Sequence, residues 1–280
     1  MQYPIDKDLF SLTLVSKLLK SEAERVIFHT VTLPLLAILR TGAIFERIAS
    51  PGPIASYIHR LEVHLAGFDA IGWGVSYKQL ISGIQKMSNL REMQYFGGYN
   101  SPSGFLDHLA ENVTFRLDGL ATSSSFSGLD NFLRSQSSLR ILKWSTGDRC
   151  AAPVDMAPSF SLPNLRTLAV DYSENIAPFL QQFWVSRLQI ANLDLDAKVE
   201  VMPSVVSLQI NFWAMVSSGS PIETLARVFP NLQFLDLIWS HDLVSYLHTF
   251  NPQSLFRLMC VIKISQNSLH RLSSKLFVSF

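Results

Sequence analysis

The sequence is poor in cysteine and has no excess of charge of either sign. Only Cys150 and Cys260 occur in 280 residues, without a CxxC pair, so no disulfide framework is expected and the content fits a reducing compartment. The 23 basic and 22 acidic residues give a formal charge of +1. This balance provides no basic footprint for nucleic acid and no attraction to an anionic membrane, so we expect the chain to bind neither.

Apolar runs long enough to cross a bilayer are also missing. The most apolar stretch, residues 30–39, is closed by Arg40, whereas a spanning helix needs about 20 apolar residues. Asp6, Lys7 and Asp8 precede the first apolar run, which Lys17 and Lys20 interrupt, unlike the arrangement in a secretory signal peptide. Together with the cysteine content, these features predict a protein of the cytoplasm, the nucleus or both.

Groups that carry catalysis or hold metal ions do not cluster along the sequence. His241 and His248 could share a helix face, but a zinc site usually needs three or four ligands. There is no GxSxG motif, and the glycine pair in residues 96–99 lacks the Lys and the Ser or Thr of a phosphate-binding loop. We therefore expect no enzyme activity, no cofactor and no metal site.

What the chain does contain is a recurring apolar triplet with the spacing φxxφxφ, where φ is an apolar residue. In its clearest copies, which begin at Leu165 and Leu232, the triplet follows Pro-Asn. Most copies lie 22 to 32 residues apart, close to the period of about 20 to 29 residues in leucine-rich repeats. With the first apolar position as the anchor, the copies start at Phe28, Ile58, Leu90, Asn112, Leu139, Leu165, Ile190, Val205, Leu232 and Met259.

Two of these copies are irregular. Asn112 is a polar residue at the anchor position. Only 15 residues separate the anchor Ile190 from the next anchor, Val205, and this interval leaves no room for a helix. Both are nevertheless assigned here as repeats.

Segments with helical periodicity lie between the triplets. Ser220-Pro221-Ile222-Glu223 places Ser at the N-cap, Pro at the first helical position and Glu at the third, which predicts a helix start. Amphipathic runs over residues 77–86, 104–111 and 129–134 predict further helices. The alternation predicts an α/β fold over residues 28–280: a leucine-rich-repeat solenoid, or horseshoe, with a parallel concave sheet and convex helices.

Strand alternation sends the second and third apolar positions of each triplet inward and their neighbours outward, so the outward residues are candidates for contact with a partner protein. Asp171, Asp194, Asp196 and Asp236 would form an acidic stretch of the concave side. These charges would attract a basic segment of a partner, or would simply solvate an exposed sheet face and block edge pairing. Both interpretations stay open.

Two tryptophans follow predicted strands by one or two positions. Trp213 and Trp239 are therefore expected on the same rim of the array. Exposed tryptophans there would anchor a partner, and buried ones would belong to the core of the loops.

Residues 1–27 precede the array and predict a short helical segment. The stretch from Asp8 to Lys17, DLFSLTLVSK, is followed by the capping-box spacing of Ser21 and Glu24, so two short helices are expected. The stretch resembles the second half of an F-box, and the whole chain is similar to the divergent F-box and leucine-rich-repeat proteins of fungi.

This resemblance implies a partner and a role. In that family the F-box helices bind the Skp adaptor of an SCF ubiquitin ligase, and the repeats present a substrate protein for ubiquitination. Leu9, Leu12 and Val15 would then contact the adaptor. The opening helix of an F-box is missing before Asp8, so the alternative is a stand-alone repeat scaffold in which the same three residues cap the array against Phe28 and Val31.

Overall fold

Short parallel strands recur through the part of the chain that the computed structural model describes. The described residues are 17–33, 48–50, 52–65, 74–97, 105–123, 126–145, 161–172, 184–192, 201–212, 225 and 227–239. The strands are β1 (Thr30–Leu33), β2 (Arg60–Leu65), β3 (Glu92–Gly97), β4 (Gly119–Thr122), β5 (Ile141–Trp144), β6 (Thr167–Tyr172), β7 (Arg187–Asn192), β8 (Ser207–Phe212) and β9 (Phe234–Trp239). Every one of these strands begins two residues after an apolar anchor.

Helices separate the early strands. They are α1 (Lys17–Ile27), α2 (Ile54–Tyr57), α3 (Gly74–Gln85), α4 (Phe105–Ala110) and α5 (Phe126–Arg134). The helices predicted over residues 77–86, 104–111 and 129–134 are confirmed as α3, α4 and α5. The helix start predicted at Ser220 lies outside the described residues.

The helix start predicted at the capping box of Ser21 and Glu24 is wrong, and nearly all of the first predicted N-terminal helix lies outside the described residues. A single helix, α1, runs from Lys17 to Ile27, so Ser21 lies inside it and does not cap it. The Ser21 hydroxyl lies 3.2 Å from the hydroxyl of Tyr57 at the end of α2, and either group can donate. A capping-box spacing does not ensure a cap, because the serine hydroxyl can instead find a partner from another helix.

The chain divides into two units, Met1–Arg140 and Ile141–Phe280. In the first unit, β1, β2, β3 and β4 pair in parallel and in sequence order. In the second unit, β5, β6, β7, β8 and β9 pair in the same way. Parallel strands in sequence order with a repeating apolar triplet define an α/β leucine-rich-repeat solenoid, and the predicted fold class is confirmed.

Backbone hydrogen bonds fix the register between successive repeats just before each strand. The carbonyl of His29 accepts bonds from the amides of His59 (3.0 Å) and Arg60 (3.1 Å). The carbonyl of Arg166 in the second unit accepts a bond from the amide of Ser186 (3.0 Å) in the same manner. Because the backbone amides of each repeat bind carbonyls of the previous repeat, each repeat depends on its neighbours for its hydrogen bonds.

The asparagine of the Pro-Asn-Leu phrase also connects successive repeats. The side-chain amide of Asn231 donates to the carbonyl of Pro203 in the previous repeat at 2.8 Å. Asn89 occupies the same position before its anchor, and its amide donates to the carbonyl of Ser56 at 2.7 Å. The recurrence of asparagine directly before an anchor therefore has a structural cause.

The anchor assigned at Asn112 is wrong. Strand β4 begins at Gly119, and its register aligns Leu120 with Met93 of β3, so the true anchor is Leu117. The side chains of Leu117, Leu120 and Thr122 are buried, and Thr122 stands at the third position of the triplet, which is apolar in the other copies. A threonine at this position broke the apolar pattern in the sequence and concealed the copy.

The anchor assigned at Ile190 is also wrong. In β7, Leu188 aligns with Leu168 of β6 and Ile190 with Val170, which makes Val185 the anchor and Ile190 the third apolar position. The interval of 15 residues then disappears, because the anchors at Leu165, Val185 and Val205 are evenly spaced. The triplet pattern alone admitted both registers, and strand pairing selects one.

The core of the first unit lies between the inward side of its strands and its helices. Tyr95 of β3 stacks on Phe105 of α4, with ring centroids 4.3 Å apart. Gln136 is fully buried, and its side-chain oxygen accepts a hydrogen bond from the amide of Leu117 at 2.8 Å. This bond satisfies an amide next to β4 that would otherwise be buried without a partner.

Candidate partner-binding surface

Two rows of side chains point outward from the strands of the second unit, on the side opposite its core. Strand register places the members of each row on adjacent strands. The row nearer the strand starts comprises Ile141, Thr167, Arg187, Ser207 and Phe234. The next row comprises Lys143, Ala169, Gln189, Gln209 and Asp236. We call these ten residues the outward face of the second unit.

Large apolar side chains stand at both ends of the first row. Ile141 on β5 is 42% exposed, and Phe234 on β9 is 52% exposed. Neither side chain contributes to the core, since Leu142 and Leu235 on the same strands are the buried residues. An exposed phenylalanine on a regular sheet face is a typical anchor for a protein partner.

The middle of the outward face is polar and fixed by a side-chain contact. The amide of Gln189 on β7 donates to the side-chain oxygen of Gln209 on β8 at 2.5 Å. Pairing across adjacent strands restricts both side chains and so lowers the entropy that a partner must remove on binding.

The outward side of the first unit has a different character, because its charges are compensated within the protein. The Glu62 carboxylate lies 2.6 Å from the His64 ring on the same strand, and Arg60 lies 3.5 Å from the Glu92 carboxylate of β3. The ring of His64 stacks on that of Phe96, with centroids 5.1 Å apart. Internally paired charges give little net attraction for a charged partner.

The structure describes only part of the predicted acidic stretch, and its two described members lie on non-adjacent strands. Asp236 lies on β9 in the second outward row and is half-buried, and Asp171 lies on β6. Strand β7 ends at Asn192, and Asp194 and Asp196 lie outside the described residues. The acidic stretch as a binding surface stays a prediction.

The predicted rim of tryptophans also changes. Trp239 is the last residue of β9, paired with Phe212 of β8, rather than a residue beyond the strand. Trp213, like the adaptor-binding candidates Leu9, Leu12 and Val15, lies outside the described residues.

Ile141 and Phe234 belong to the outward residues that strand alternation makes candidates for partner contact, but nothing in the sequence singled them out among those residues. The binding residues predicted from the sequence were acidic residues and tryptophans, although an apolar residue at an outward position of a strand was the more informative signal. In the described ranges, no group of three or more His, Cys, Asp or Glu side chains could hold a metal ion. The helices described here are all too short or too polar to cross a membrane.

The fold places the chain in the class of leucine-rich-repeat proteins. No protein-family model matches it, and no curated protein matches it. Among solved structures it is similar to an internalin (inlF) from Listeria monocytogenes str. 4b F2365, with 13% sequence identity over 84% of this chain and 82% of that chain and a TM-score of 0.25. The class assignment therefore rests on strand order and register.

Proposed function

We propose that this chain is a protein-interaction module that holds a partner protein on the outward face of its second unit. The observation that carries the proposal is the pair of exposed apolar side chains, Ile141 and Phe234, in one row of that face. Protein interfaces centre on a few large apolar or aromatic anchors surrounded by polar groups. Lys143, Gln189 and Gln209 would supply the polar groups beside these anchors.

Replacing Ile141 and Phe234 together by alanine is expected to weaken partner binding by about tenfold or more without lowering the melting temperature. Both side chains are largely exposed, so their removal costs the fold little. The measurement compares the proteins retained by the immobilised full chain and by the variant, using quantitative mass spectrometry, and then the Kd of each retained protein.

Val201→Ala is the matched control, because Val201 is an apolar side chain that is 57% exposed and lies off the outward face. A protein retained by the wild type and by the control but lost from the double variant supports the proposal. An unchanged set of proteins with unchanged Kd values on the double variant contradicts it.

A finer form of the proposal makes the chain the substrate receptor of an SCF-type ubiquitin ligase, acting in the cytoplasm or the nucleus. Its support is the resemblance of residues 8–17 to the second half of an F-box. The alternative is a stand-alone scaffold that binds its partner through the same outward face and has no connection to ubiquitination.

A pull-down of the full chain with the purified Skp adaptor separates these two forms. For a substrate receptor we expect retention of the adaptor, and loss of retention in a Leu12→Asp, Val15→Asp variant. Leu19→Asp, at a 40% exposed position of α1, controls for added negative charge near the N-terminus. Absence of adaptor binding by the folded wild-type chain would rule out the receptor form and leave the scaffold.

A further inference from the structure

A row of basic side chains crosses the N-terminal edge of the sheet in the first unit. His29, His59 and Arg91 each directly follow an anchor, and Arg116 directly precedes the anchor Leu117. Neighbouring parallel strands lie about 4.8 Å apart, so His29, His59 and Arg91, at equivalent positions of successive repeats, stack into a row. Asp118 takes the equivalent position of the fourth repeat, and Arg116 lies two residues before it. We call these four residues the basic row. It lies before the strands begin, separate from the outward faces described above.

The two histidines form the first half of the basic row. Their rings are stacked, with centroids 4.8 Å apart and an angle of 15° between the ring planes. His29 is exposed and His59 is half-buried. The pKa of His59 is lowered, first by burial and then by the positive charges of His29, Arg91 and Arg25. The position of His59 is thus one of positive potential.

The two arginines form the second half of the basic row and are held in place by neutral backbone carbonyls. Arg91 Nη1 donates to the carbonyl of Arg116 at 3.2 Å, and Arg116 Nη1 donates to the carbonyl of Ser135 at 2.6 Å. Both guanidinium groups are exposed. A backbone carbonyl orients a guanidinium group but does not neutralise it, and the remaining N–H groups can still donate.

Arg91 and Arg116 differ from the ion-paired arginines of the described residues, because the side-chain partners of these two are carbonyls alone. Over the described residues, Arg91 and Arg116 make no ion pair with a carboxylate, whereas three other arginines do. The other ion pairs are Arg25 with Glu22, Arg60 with Glu92, and Arg134 with Asp130. The guanidinium groups of Arg91 and Arg116 are held in place and have no carboxylate partner among the described residues, so they can donate hydrogen bonds to the carboxylates of a ligand.

We propose that the basic row binds an acidic segment of a partner protein, which lies in extended form across the starts of β1 to β4. Carboxylates of the segment would receive hydrogen bonds from the free guanidinium nitrogens of Arg91 and Arg116, with the histidines providing further contacts. Asp118 occupies the position of the fourth repeat that is equivalent to that of Arg91, so the basic positions after the anchors end there, and Arg116, two residues earlier, supplies the last cation. The formal charge of +1 and the pI of about 7.8 favour a short acidic peptide over nucleic acid, whose binding domains usually have a far more basic surface.

The test measures binding of a fluorescent ten-residue peptide of alternating Glu and Ser to the full chain, by fluorescence anisotropy. The neutral peptide, with Gln in place of Glu, should not bind. Replacing Arg91 and Arg116 by Gln should weaken binding by about tenfold, since two charge-assisted contacts are lost. Lys78→Gln with Arg227→Gln, at two exposed positions outside both proposed surfaces, removes the same charge and should leave binding within about twofold of wild type.

A second measurement is independent of any variant and so of its folding. Binding of the acidic peptide should raise the pKa of His59, followed by NMR titration of its ring protons, because negative charge counteracts the positive neighbours that lower it. The charged groups around His59 are His29, Arg91 and Arg25, and Arg25 is itself paired with Glu22. By linkage, the bound state takes up protons, so affinity should increase as the pH falls through the pKa of His59 in the bound state.

Three results would overturn the proposal: equal binding of the neutral peptide, wild-type affinity in the folded Arg91→Gln, Arg116→Gln variant, or an unchanged pKa of His59 at saturating peptide. Tighter binding of a single-stranded oligonucleotide or of anionic lipid vesicles than of the peptide would also overturn it, in favour of phosphate as the ligand. The outward-face variant Ile141→Ala, Phe234→Ala should bind the peptide normally, which separates this surface from the one proposed above.

Discussion

Phe132→Ala is expected to lower the free energy of unfolding by about 3–5 kcal/mol, the largest loss predicted for this protein. Phe132 on α5 is fully buried and packs against Phe115, with ring centroids 6.5 Å apart and planes tilted by 52°. Removal of the ring loses its transfer free energy and leaves a cavity that the surrounding repeats can close only in part. Urea unfolding followed by far-UV circular dichroism measures the loss.

Asn131→Ala provides the control on the same helix. Asn131 is exposed, and its amide donates a 3.0 Å hydrogen bond to the carboxylate of Asp107 on α4. Its removal should change stability by about 0.5 kcal/mol or less, as for most surface substitutions. Phe132→Leu should fall between the two. Equal effects of the Phe132 and Asn131 alanine variants would contradict the position of the core in this unit.

Leu188→Ala is expected to cost about 2–5 kcal/mol and tests the corrected register of β7. In this register Leu188 is buried between Leu168 of β6 and Leu208 of β8, at the second apolar position of its triplet. With the anchor at Ile190, Leu188 would precede the strand, and its truncation would lower the free energy of unfolding only slightly. The same denaturant experiment therefore distinguishes the two registers.

The matched control for Leu188 is its neighbour Gln189, whose side chain points to the outward face. Gln189→Ala removes one hydrogen bond to Gln209 and should cost about 0.5–1.5 kcal/mol. A larger loss for Gln189→Ala than for Leu188→Ala would mean that the strand presents its faces in the opposite order, because a shift by one residue exchanges them.

Most of the fold could be predicted because the triplet is a local pattern with a local cause. Anchors such as Leu90, Leu139 and Leu165 stand next to turn residues and begin an alternation of two buried positions, so a short window of sequence determines each strand. The same holds for α4 and α5, whose apolar residues recur at helical spacing. The errors occurred where a window was ambiguous, at Leu117, whose triplet ends in Thr122, and at Val185, whose triplet overlaps an alternative at Ile190.

The candidate surfaces were less predictable, because each depends on residues that only successive repeats bring together. Ile141 and Phe234 are far apart in sequence and share one row of the outward face. The stacked rings of His29 and His59 likewise belong to different repeats. The outward face depends on the exposure of apolar side chains, and the basic row depends on cations that have no carboxylate partner among the described residues. A single repeat determines neither property.

The sequence by itself determined the repeat, its leucine-rich class and the inward side of each strand, since the alternation of apolar and polar residues decides which face avoids water. The tertiary structure decided the register of β4 and β7, the position of Ser21 inside α1, and which arginines are paired with a carboxylate. Those outcomes depend on contacts between different repeats, such as the hydrogen bonds from Arg91 to the Arg116 carbonyl and from the Leu117 amide to Gln136, whose partners are distant along the chain. Only the stacking of one repeat on the next brings such partners within reach.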